Sequence, residues 1–123
     1  MKILLLIGTG SFIGGILRYL MSHFIHQKIQ GTFPFWTLAV NVLGCLVIGF
    51  VFGLAEKGNI SSDLKMFLAP GLLGGFTTFS AFSNETFILL NEGQYTQAIM
   101  YVLASVLIGL LATFLGFISI KMF

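Results

Sequence analysis

Apolar residues fall along the chain in four long blocks separated by short polar breaks. The blocks run over about residues 3–25, 33–55, 64–90 and 95–121, and the breaks are 26–31, 56–63 and 91–94. A transmembrane helix needs about 20 mostly apolar residues, so each block is long enough to cross a bilayer. Backbone groups in lipid must bond internally, which favours helices, and the alternating pattern of a barrel strand is absent. The pattern predicts an all-α membrane protein with four transmembrane helices. Short breaks make neighbouring helices antiparallel and put both termini on one side. They leave no room for a soluble domain, so one membrane domain over residues 1–123 is expected.

Composition sharpens this reading. Hydrophobic residues make up 57% of the chain and charged residues 8%, with a mean hydropathy of +1.02. A soluble domain carries about 25% charged residues, so this chain could not clothe a globule in polar surface. The net charge of +2 is small and its basic residues stand singly, which argues against nucleic acid as a partner. The single cysteine, Cys45, excludes an internal disulfide and has no His or Cys at ligand spacing; it reads as a packing residue. The N-terminus begins like a signal peptide but lacks a small-x-small cleavage site, so it reads as a retained first span. Lys2, Lys57, Lys65 and Lys121 fall on the side of the termini, against Lys28 on the other. That bias favours termini in the cytoplasm.

Small residues recur at helix-packing spacing in the pairs Gly10/Gly14, Gly49/Gly53 and Gly71/Gly75. Such pairs let backbones approach closely. Four thin helices enclose little space, so function calls for self-association.

Polar side chains inside a span are costly and mark function. Arg18 lies in the far half of the first block, where snorkelling to the interface competes with a buried structural role. His23 and His26 fit the interface. Thr37 and Asn41 occupy the second block; the Asn41 amide suits an interhelical hydrogen bond or donation to an ion. Tyr101, Ser105 and Gly109, spaced by four and extended by Thr113, form one stripe on the fourth block.

The third block is the most unusual. It carries Pro70, Gly71, Gly74, Gly75, Thr77 and Thr78, and then Phe79, Ser80, Phe82, Ser83 and Glu85. Glycine costs a helix about 1 kcal/mol against alanine, so the Gly74–Gly75 pair predicts a break near the centre of the membrane. Broken helices at that depth line cavities, and their free carbonyls and helix ends hold ions. Glu85 is the only acid well inside an apolar block. Hydroxyls, an amide and the positive edges of Phe rings suit an anion that must enter and leave. The residues by themselves leave a small channel and a transporter both open.

Three motifs in order add a resemblance. Gly14-Gly-Ile-Leu-Arg-Tyr19, Thr37-Leu-Ala-Val-Asn-Val-Leu-Gly44 and Gly74-Gly-Phe-Thr-Thr-Phe-Ser-Ala-Phe-Ser83 resemble those of the Fluc (CrcB-type) fluoride channels, over the whole chain. The resemblance implies passive export of fluoride by an antiparallel, dual-topology homodimer with two pores in the bacterial plasma membrane, and no enzymatic step. It implies an ion pathway of Asn41, Phe79, Phe82, Ser80, Ser83, Glu85, Tyr101 and Ser105. It implies a structural Na+ at the dimer axis, held by backbone carbonyls of Gly74 and Thr77, and a structural place for Arg18. Two features depart from the family pattern: Ala81 stands where threonine is common, and the lysine bias exceeds that of even dual topology. The bias leaves open a heterodimer with an oppositely oriented paralogue. The rival reading, a small multidrug-type proton-coupled transporter, needs a carboxylate in the first span, and none is present.

Overall fold

Four helical segments, each long and apolar enough to cross a membrane, account for nearly all of the chain. The computed structural model describes every residue from Met1 to Phe123. Helix α1 spans Lys2–Lys28 and α2 spans Phe35–Glu56. The third segment, Ser62–Asn91, is composite. It comprises α3 (Ser62–Met66), a π-helical turn (Phe67–Leu73), α4 (Gly74–Phe76) and α5 (Phe79–Asn91). Helix α6 covers Tyr95–Met122.

The sequence supplies the helix ends. Beyond α2, Gly58 takes φ +73°, its N–H reaches the Ala55 carbonyl at 3.1 Å, and the Asn59 N–H reaches that of Leu54 at 2.9 Å. This is the left-handed glycine stop, which spares the last carbonyls of a helix from going unpaired. Gly93, at φ +74°, ends α5 in the same way. At the start of α3, the Ser61 hydroxyl accepts the Leu64 N–H at 3.2 Å.

Two ion pairs fix the order of the helices. Lys2 pairs with Asp63, and Lys121 pairs with Glu56 at 3.0 Å. The start of α1, the end of α2, the start of α3 and the end of α6 therefore share one end of the bundle, and successive segments run in opposite directions.

Close backbone approach sets the lateral packing. A Cβ at Gly14 would overlap the Leu72 carbonyl, and one at Gly75 would overlap that of Ser11. Helix α1 thus lies against the first half of the third segment. In the same manner Gly49 and Gly116 bring α2 and α6 together. Small residues allow this approach where no water drives association. Only 19 of 123 residues are buried, so most large apolar side chains face outward, as solution in lipid requires.

The third segment departs from the sequence-based expectation. Gly74 and Gly75 stay helical, with Gly74 at φ −62°, ψ −36°. The lapse comes later, at Thr77 (φ −83°, ψ 156°) and Thr78 (φ −146°, ψ 115°), and the segment as a whole bends by 21°. Gly75 serves contact with α1, and the extended residues fall where a neighbouring side chain takes up the freed backbone groups. Upstream, Pro70 lies in the π-helical turn. It lacks the N–H that an α-helical turn would use, and the wider turn takes up the mismatch.

Candidate functional site

Thr77 and Thr78 interrupt the helical ladder, and Asn41 on α2 answers them. Its amide nitrogen donates to the Thr78 carbonyl at 3.0 Å, and its amide oxygen accepts the Thr78 N–H at 2.8 Å. The Thr78 hydroxyl in turn accepts the Ala81 N–H at 3.2 Å and caps α5. In a continuous helix the Thr78 N–H would serve the Gly74 carbonyl, and the Ala81 N–H would serve the Thr77 carbonyl. Both carbonyls lose those donors here. They are hard oxygen groups of the kind that bind alkali cations, and they are the two that the resemblance singled out. No cluster of three His, Cys, Asp or Glu residues offers an alternative metal site.

A cavity of about 380 Å³ opens beside this interruption. Asn41, Thr77, Thr78 and Ser105 supply its polar lining, and Phe79, Phe82 and Cys45 are among its other walls. The Ser105 hydroxyl has no partner within the chain. Phe79 and Phe82 stand 5.6 Å apart between ring centres, and Phe82 stands 5.1 Å from Tyr101. Phe79 is 79% exposed, so the cavity borders the outside of the chain.

Glu85 forms a second centre one turn along α5. Its Oε1 accepts from the Thr37 hydroxyl at 2.7 Å and from the Trp36 indole N–H at 2.9 Å. Its Oε2 accepts from the Tyr101 hydroxyl at 2.7 Å. Thr37 and Tyr101 are 3% and 0% exposed, while Glu85 and Trp36 are half-buried, and hydrogen bonds to an ionised carboxylate are the stronger kind. Three helices converge on one carboxylate.

The residues picked from the sequence are therefore distributed unevenly. Asn41, Phe79, Phe82 and Ser105 line one cavity, with Thr77 beside them. Glu85 and Tyr101 pair with each other. Ser80 and Ser83 are exposed, and Ser80 reaches only Thr78, at 3.3 Å between hydroxyls. Arg18 is half-buried, far along α1, with no hydrogen-bond partner in the chain. Three contributors lie outside the predicted pathway: Thr78, Trp36 and Thr37, whose hydroxyl donates to Glu85. Thr78 carries the interruption itself, and its signal was a hydroxyl beside the glycine pair. Trp36 binds Glu85, and its signal was the single indole next to Thr37.

Fold and site together define a multi-pass α-helical membrane protein with a polar centre inside the bilayer. Comparison with known proteins then narrows the class. Residues 5–117 match the family model described as CrcB-like protein, Camphor Resistance (CrcB). The chain belongs to the CrcB family. It is 48% identical over 122 residues to the fluoride-specific ion channel FluC of Flavobacterium psychrophilum, covering 98% of both chains. It is 45% identical to that of Phocaeicola vulgatus, covering 94% of this chain and 96% of the relative. The protein of the same name from Shewanella frigidimarina is 46% identical, over 91% of this chain and 90% of its own.

Proposed function

We propose that this protein is a fluoride-selective channel through which fluoride leaves the cell passively, relieving fluoride toxicity. One observation carries the reading beyond family membership. A polar interruption inside a membrane span borders a cavity walled by Asn41, Phe79, Phe82 and Ser105. Such a wall offers an anion an amide, hydroxyls and aromatic edges without any fixed cation to trap it. Along the path, Asn41 and Ser105 donate, Phe79 and Phe82 turn their edges to the ion, and Ser80, Ser83, Glu85 and Tyr101 continue the polar side. Conduction of this kind involves no covalent step.

The assembly in this reading is an antiparallel, dual-topology homodimer with two pores in a bacterial plasma membrane. Support comes from the exposed Phe79 and the outward cavity, which a second subunit would cover. A structural Na+ belongs at the dimer axis. The Gly74 and Thr77 carbonyls fit it, because both have lost their helical donors to Asn41 and Thr78. The bound cation would supply positive charge and cross-link backbone between subunits. Arg18 has a structural place in the first helix.

Purified protein in liposomes loaded with fluoride and chloride tests the reading. Rapid fluoride release with chloride retained is expected, from this chain alone. Equal release of both anions, or release of neither, overturns selective conduction. Flux only in the presence of a paralogue overturns the homodimer.

A further inference from the structure

We infer that Trp36 is a positioning residue that holds the Glu85 carboxylate clear of the anion, an inference that rests on the fluoride reading above. Glu85 is the one acid set deep in a membrane-crossing segment. A bare carboxylate there would repel a passing anion strongly, because charges in a poorly polarisable interior are weakly screened. The structure spreads that charge over three donors. Thr37 and Trp36 both bind Oε1, at 2.7 and 2.9 Å, and the Tyr101 hydroxyl binds Oε2 at 2.7 Å.

Trp36 differs from the other two donors in where it stands. It lies in the first turn of α2, half-buried, and shares with Glu85 a second cavity of about 220 Å³. Thr32, Pro34 and Glu92 also line that cavity. The indole is therefore the donor that meets the carboxylate at the wall of this cavity. It is held from behind as well: the His26 ring on α1 meets it at a right angle (89°), 4.4 Å between centres. A side chain gripped by α1 on one side and bonded to α5 on the other fixes the rotamer of Glu85 as well as screening it.

Trp36→Phe keeps the aromatic body and removes only the N–H. Fluoride efflux from liposomes should fall roughly tenfold, the scale of one hydrogen bond to a charged group. Combining Trp36→Phe with Glu85→Gln should cost nothing beyond Glu85→Gln alone, because the amide carries no charge to hold. Unchanged efflux in Trp36→Phe, or an equal further loss in the Glu85→Gln background, overturns the inference. The spectrum gives a readout independent of flux. Trp36 is the only tryptophan, so its emission reports directly on its hydrogen bond. Glu85→Leu, which has no acceptor for the indole N–H, should shift that emission and Phe79→Ile should leave it in place. No shift with Glu85→Leu overturns the contact, whatever the flux of the variants. If the unmodified protein releases no fluoride, the channel reading fails, and the emission result still decides the Trp36–Glu85 contact.

Discussion

Asn41 and Thr78, on different membrane-crossing segments, are joined by a closed pair of hydrogen bonds. The Asn41 amide donates to the Thr78 carbonyl at 3.0 Å and accepts the Thr78 N–H at 2.8 Å. One side chain thereby satisfies both backbone groups of an extended residue within a membrane-crossing segment. Asn41→Asp keeps the acceptor, loses the donor and brings a charge. Its thermal unfolding in detergent should show a loss of about 1–3 kcal/mol, the cost of an unpaired buried group. Fluoride efflux should fall sharply. Asn41→Leu separates the two effects, since it removes the bonds without adding charge. Unaltered flux in both variants would remove Asn41 from the pathway.

Phe82 packs between Phe79 and Tyr101, at 5.6 and 5.1 Å between ring centres. Phe82→Ile retains apolar bulk but has no aromatic edge. Efflux should drop while the protein still elutes at the position of the unmodified protein in size-exclusion chromatography. A variant that conducts like the unmodified protein would show that the ring edges are dispensable.

Tyr101 is fully buried, with its hydroxyl on Glu85 Oε2 at 2.7 Å. Tyr101→Phe leaves that oxygen without this donor. The expected loss is about 1.5–3 kcal/mol, typical of a hydrogen bond to a charged group. It is read from the unfolding midpoint. Adding Glu85→Gln should recover part of that loss, which simple damage to packing would not allow.

Gly14 and Gly15 are neighbours with opposite roles. A Cβ at Gly14 meets the Leu72 carbonyl, whereas one at Gly15 meets nothing within 4 Å. Gly14→Ala should therefore push α1 from the third segment and destabilise by about 1–3 kcal/mol, the range for overpacking. Gly15→Ala should be neutral or stabilising by up to about 1 kcal/mol through helix propensity. Equal effects at both positions would contradict the packing described for α1.

The proposed Na+ site gives a prediction without mutation. Exchange of Na+ for a large organic cation throughout purification should lower the stability of the proposed dimer and its efflux. Restoring Na+ should recover both. Indifference to the exchange would remove the site at Gly74 and Thr77.

Much of the fold was legible along the chain because a spanning helix answers to local rules. Some 20 apolar residues in a row, closed by Gly58 or Gly93, state where a segment begins and ends with no help from elsewhere. The glycine pairs likewise announced close packing, and Gly14 and Gly75 make it. The residue types suited to an anion, with Glu85 as the lone acid well inside an apolar block, were visible for the same reason: polar groups in lipid stand out by their cost. What a helix meets across the bundle depends on its rotation about its own axis, and that is set by packing. Hence the interruption at Thr78 instead of at the glycines, which needs an amide 37 positions away. Hence also the grip of Trp36, Thr37 and Tyr101 on Glu85, across separations of 49, 48 and 16 residues. The sequence alone determined the membrane-spanning helices and the chemistry they carry. Only the tertiary structure decided which of those groups are bonded to one another and which are left facing the cavity.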